Sequence, residues 1–303
     1  MSANKIFLVA ILFMLTIAFT LAGDNREALG FFFLMFFIIF VGVFSEARAR
    51  DEEENAYNLR PTTRPYNVYY GDELHFSEEV ITICLDKHLP YFSCLNAAAK
   101  ERFLYRLNKF IRSKTFKIHD KQGFREMPIL VSAAAIQLSF GLENYLLPQF
   151  RFIHIHPGEY FRSHHSFDVL AGNVSGQSIN ISWKHFLEGF KYPDDGQNVG
   201  LHEMAHAYYF QNFECEENKD HCFVTNFPGY NMNADKVFEQ EQIAGNDLYS
   251  DYALKNFQEF WAESVEIFFE KPFNLYNLYP DLYAALKMVL RQDPLHNRVG
   301  LEG

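Results

Sequence analysis

Two uncharged apolar runs, 6–22 and 28–44, open the chain and are separated only by the polar stretch 23–27. At about 1.5 Å per residue, each is at the short end of what crosses a hydrocarbon core of roughly 30 Å. The pattern predicts a two-helix transmembrane hairpin over residues 1–45. Lys5 precedes the first run and Arg48 and Arg50 follow the second, while the turn carries Arg26 beside Asp24 and Glu27. The positive-inside bias then predicts a multi-pass protein of the inner cell membrane with a cytoplasmic body and the lipid bilayer as a partner of residues 6–44. Residues 20–22 also read as a signal-peptide cleavage site, which would leave the second run as the anchor.

Beyond the runs the pattern changes. Residues 46–75 lack apolar periodicity and carry an acidic cluster and two Arg-Pro steps, which predicts a solvated linker ahead of a domain over 76–303. Ala98, Phe103, Leu107, Phe110 and Ile111 recur at helical spacing within 95–116, and a second helix is predicted after Pro128, where Ser132 to Ala135 suit close packing. Alternation over 151–156 and β-favouring residues over 176–183 predict strands of one small sheet, either of which could hold a substrate backbone by strand addition unless it is interior. Helical pattern resumes near Asn198 and near Asn256, with 212–249 read as a long connection bearing Gly, Asn and Pro. Helices and strands are both expected.

Charge narrows the partners. The chain has 27 Lys and Arg against 38 Asp and Glu, and removing the four basic and three acidic groups of residues 1–50 leaves 23 minus 35, a net of −12 for the body. Such a surface is repelled by nucleic-acid phosphates, so DNA and RNA are not expected as ligands. Cys84, Cys94, Cys215 and Cys222 form no C-x-x-C and read as thiols in a reducing compartment, although 84 with 94 and 215 with 222 would be the obvious pairs outside the cell.

The chemistry concentrates at His202-Glu203-Met204-Ala205-His206, an H-E-x-x-H pentapeptide. Residues i and i+4 of a helix lie about 5–6 Å apart at Cβ, so two imidazoles can converge on one ion while Glu203 reaches a water on it. Val199, Met204, Tyr208 and Phe210 make the segment greasy, and two unpaired histidines buried there would be costly without a metal. The metzincin continuation fails, because Tyr209 and Asn212 stand where Gly and His would be needed. A glutamate on the later helix is the alternative third ligand. Glu259, Glu263, Glu266 and Glu270 form one stripe at i, i+4, i+7 and i+11, whose C-terminal members read more simply as a solvated face. Glu259 leads Glu263, although Asn256 and Glu259 also match a capping box that needs no metal. His154 and His156 share a strand face and His164 and His165 sit in a polar stretch; all four read as structural or surface residues.

At these residues the chain resembles the MtfA-type zinc peptidases, the Mlc titration factor family. The likeness includes DYALKNFQEFWAESVEIFFEKP at 251–272, YPDLYAALKMVLRQDP at 279–294, SW at 182–183 and LPYFSCL at 89–95, and covers roughly residues 85–296. The resemblance implies a gluzincin-like α+β domain with His202, His206 and Glu259 holding one Zn2+, Glu203 as the catalytic base and Tyr252 as the phenol supporting the oxyanion. Ala207-Tyr208-Tyr209 and Glu263 depart from the family pattern. The implied activity is a zinc-dependent metallopeptidase acting on peptide or protein substrates, and the two apolar runs, which are additional to the soluble family members, make it membrane-anchored in expectation. The competing reading is a membrane-tethered binding protein that uses a zinc fold to sequester a cytoplasmic regulator, and an intact Glu203 argues against it.

Overall fold

The computed structural model describes residues 66–120, 126–161, 169–245, 248–296 and 298–299. Among them no helix is long and apolar enough to cross a membrane. That finding corrects the expectation of a multi-pass inner-membrane protein with a cytoplasmic body. The runs 6–22 and 28–44 on which it rested lie outside the described residues.

The scaffold is a mixed α+β body around a five-stranded sheet of order β1-β2-β3-β7-β6, in which β1 is Asn67–Tyr70, β2 Thr115–Ile118, β3 Phe152–His156, β6 Gly172–Ser175 and β7 Ser178–Ser182. β2, β3 and β7 run parallel, and β1 and β6 close the two edges antiparallel. β1 therefore falls inside the stretch read as linker. Its four residues are too short for periodicity to detect, and pairing with β2 supplies what their own pattern lacks. The expected strands both exist, but they are interior: β3 lies between β2 and β7, and β7 between β3 and β6.

Strict alternation gives the sheet two unlike faces. Phe116, Ile118, Ile153, Ile155, Ile179 and Ile181 are buried on the helical side. Lys117, His154, Asn180 and Asn173 form one cross-strand row on the other. α6 (Val199–Phe213) packs on β7 and β6, and one continuous apolar core joins it to α1 (Glu78–His88), α2 (Pro90–Ser93), α3 (Ala97–Arg112), α4 (Glu126–Ser139), α5 (Trp183–Lys191), α8 (Phe257–Glu270), α9 (Pro272–Leu278) and α10 (Pro280–Leu290). α4 is buried along its whole length from Met127 onward, and its small residues at 132–135 let neighbours approach closely. Pro128 falls in its first turn, where a missing N–H costs no intrahelical bond. The two small hairpins are β4 (Tyr160–Phe161) with β5 (Val169–Leu170), and β8 (Gln292–Asp293) with β9 (Arg298–Val299).

The main departure from the sequence reading is α7, His221–Ala244, a continuous helix through a stretch read as a connection, with Pro228 inside it. Phe223, Phe227, Tyr230, Ala234 and Val237 are buried and recur at helical spacing. Three of these rings meet Trp261 of α8 at steep angles, with centroids 5.6, 5.1 and 5.0 Å away. Each such pair contributes about 0.5–1.5 kcal/mol beyond area burial, which together outweighs the roughly 3 kcal/mol of an interior proline once burial of the rings is added. All four cysteines are free thiols, and Cys84 is buried, so neither obvious pair is joined. Phe227→Ala should lower unfolding free energy by about 3–5 kcal/mol in denaturant titration, because the ring lies between Trp261, Phe213 and Phe223 with no room for collapse.

Candidate metal centre

α6 and α8 cross so that three side chains from two helices meet. Asn198 caps α6 by accepting from Leu201 N at 3.0 Å, and Asn256 caps α8 by accepting from Gln258 N and Glu259 N, each at 3.0 Å. Only half of the expected capping box is used. The Glu259 carboxylate points instead at the imidazoles, its Oε2 lying 3.0 Å from His202 Nε2 and 3.2 Å from His206 Nε2, and the two ring nitrogens are 3.1 Å apart. Tetrahedral ligands at about 2.0–2.1 Å from a zinc-sized ion are separated by roughly 3.3 Å, so the triangle already has ligand dimensions. The donor set, two imidazoles and a carboxylate, suits a borderline divalent ion. Glu263, the rival third ligand, accepts instead from Ser250 N at 2.5 Å and Ser250 Oγ at 2.6 Å.

The remaining acids of the α8 stripe are not a solvated face. Glu266 is 6 % exposed; its Oε1 lies 2.7 Å from His202 Nδ1 and its Oε2 accepts from Asn198 N. Glu270 accepts from Asn198 Nδ2 at 2.8 Å and Gly196 N at 3.1 Å. Two carboxylates of α8 thus hold the start of α6, where the helix dipole favours negative charge. On the far side Trp261 Nε1 donates to Ala205 O at 3.0 Å. Sequence reasoning missed Glu266. The available signal was its i+7 relation to Glu259, which puts it on the same face two turns on, level with His202.

Burial and hydrogen bonding act on the cluster in opposite directions. Burial works to raise the Glu259 carboxyl, but hydrogen bonds from both imidazoles override it and hold the group well below the usual carboxylate range. Burial disfavours charge on His202, yet Glu266 and Glu259 on its two nitrogens raise it well above an ordinary histidine. Burial lowers His206. Glu203 is 4 % exposed, burial pushes it up to about 8, and its Oε2 is a buried atom without a hydrogen-bond partner among the described residues. An orphaned carboxylate oxygen beside three converging donors is what a water on a bound ion would satisfy.

A cleft of about 330 Å³ opens over the cluster, walled by Gly172, Asn173 and Val174 of the edge strand β6 and by Tyr252. Tyr252 is 44 % exposed, with its ring centroid 6.2 Å from that of His202 and the Lys255 ammonium 4.2 Å over the ring. Gly172 is fixed by close approach, because a Cβ there would lie 2.3 Å from Glu203 Oε1 and 2.6 Å from its Cγ. The structure therefore brings His202, Glu203, His206, Glu259 and Tyr252 to one cleft. Glu266→Gln keeps the shape but removes the charge that orients His202, and should weaken divalent-metal affinity by roughly 10–100-fold in chelator competition.

No curated protein matches the chain at a significant level. The family model described as glucose-regulated metallo-peptidase M90 matches residues 71–291, more than two thirds of the sequence and every element that builds the cleft, and the chain belongs to that metallopeptidase family.

Proposed function

We propose that this protein is a zinc-dependent peptidase in which His202, His206 and Glu259 hold the ion and Glu203 is the general base. The observation that carries the reading is the triangle of donor atoms, 3.0 to 3.2 Å on a side, with the unpartnered buried Glu203 oxygen beside it. When bound there, Zn2+ would bring the pKa of a coordinated water from 15.7 toward about 7 and polarise the substrate carbonyl.

The chain's own groups account for the rest. Glu203 takes the proton from the attacking water and delivers it to the departing amide nitrogen, so its carboxylate must be ionised at the start and neutral between the two transfers. The burial that raises its pKa favours the second condition. Tyr252 also lines the cleft, and its hydroxyl would donate to the oxyanion, a contribution of about 3 kcal/mol in comparable sites. The peptide would lie along β6. β6 is an edge strand, so its outer backbone groups can pair with an extended substrate, while β3 and β7, the strands first expected in that role, are paired on both sides. Gly172 at the start of β6 keeps backbone and base in contact.

Glu203→Gln should retain the metal and lower peptide hydrolysis by about 10²–10⁴-fold. Glu259→Ala should lose the metal itself, read by elemental analysis of the purified chain. Hydrolysis of a peptide library that survives both a chelator and Glu203→Gln would exclude the proposal.

A further inference from the structure

A second group of histidines lies on the opposite face of the sheet. His154 and His156 point to the polar side of β3, and His119, one residue past β2, joins them because its backbone continues the β2–β3 pairing, with His119 N donating to Ile155 O at 2.8 Å. One ring nitrogen from each residue falls in a set whose members all lie within 4.8 Å of one another. His119 Nε2 and His154 Nδ1 are 2.9 Å apart, and the His119 and His156 rings stack at 4.1 Å between centroids. Two tyrosines wall the group: Tyr160 stacks on His156 at 4.1 Å and Tyr66 tilts against His119 at 4.8 Å.

Packing alone does not explain this arrangement. The Nε2 of His156 is buried and has no hydrogen-bond partner among the described residues. Burial disfavours the charged form of all three rings. Neutral imidazole is the form that binds metal. We propose that His119, His154 and His156 form a second metal site for a borderline divalent ion, of which Zn2+ is the representative, separate from the centre at His202.

Ligation at about 2.0–2.1 Å requires ring nitrogens roughly 3.3 Å apart, so the widest pair must close by no more than about 1.5 Å, within reach of χ rotations that swing the rings out of their stack. The site differs in kind from the first. It has three neutral ligands and no carboxylate, and Lys117, which pairs in register with His154, opposes positive charge. Its affinity is therefore the weaker of the two. The site is also wired to the cleft: Tyr160, stacked on His156, donates through its hydroxyl to Asn173 Oδ1 at 2.7 Å, and Asn173 lines the cleft beside Glu203.

The test is Zn2+ stoichiometry of the full chain, followed by competition with a chromophoric chelator. The wild-type chain should hold two equivalents, His202→Ala/His206→Ala one, weaker than the wild-type's tighter equivalent, and His119→Gln/His154→Gln one, retaining the tighter. A single equivalent on the wild-type chain, or two on the His119→Gln/His154→Gln variant, overturns the site. Should that variant fail to fold, 15N-histidine spectra of the His202→Ala/His206→Ala chain decide. Adding Zn2+ should move the ring signals of three histidines, and signals that all stay in place overturn the proposal.

Discussion

The Glu266 carboxylate, set between His202 Nδ1 and the backbone N–H of Asn198, is the contact on which the site depends. It joins α8 to α6 at the place where α6 begins, and fixes three things together: the angle of the helices, the tautomer and tilt of His202, and the N-cap that starts the pentapeptide helix. Burying an unpaired carboxylate costs several kcal/mol, so the contact persists only because each oxygen has a partner, and Glu270 completes the same clamp through Asn198 and Gly196. The Trp261 indole on Ala205 O prevents the helices from rolling apart.

That clamp explains the crowding of acids. Glu203, Glu259, Glu266 and Glu270 lie close together, and burial raises three of them while Glu259 alone is held down by two imidazoles. Like charges so placed repel unless a positive centre sits among them, and the imidazole pair facing Glu259 marks where it would be. The same balance separates two roles on one chemical group. The carboxyl with two nitrogen partners is held low, and the buried carboxyl without a partner is pushed up, which are the opposite tendencies that the proposed ligand and the proposed base require.

The sheet divides the molecule's chemistry. Its apolar face supplies the floor against which α6 packs and brings β6, through Gly172, against Glu203. Its polar face gathers His119, His154 and His156 in neighbouring rows. Tyr160, stacked on His156, donates to Asn173 of the edge strand β6, which also lines the cleft, so one hydrogen bond connects the two histidine groups although they lie on different sides of the sheet.

Much was legible in the chain itself, because the determining interactions were local. Helical periodicity pointed to α3, α6 and α8, alternation to β3 and β-favouring composition to β7, and the i, i+4 spacing of His202 and His206 put both imidazoles on one side of a helix, since backbone geometry alone sets those distances. The stripe on the later helix put Glu259 ahead of Glu263 as third partner, but the meeting of Glu259 with both imidazoles, the Glu266 clamp, the glycine against Glu203 and His119 beside His154 depend on which helices cross and which strands neighbour one another, and residues tens of positions apart leave no periodic trace of that. α7 is the plainest case: Pro228, Gly229 and the asparagines around them signal a loop locally, and only Trp261, placed by another helix, gives Phe223, Phe227 and Tyr230 a reason to line up as a helix. The sequence alone determined the local frame, above all the pentapeptide with two histidines on one helical face; the tertiary structure decided which side chains meet there, because only packing sets the distance between elements that the chain does not directly join.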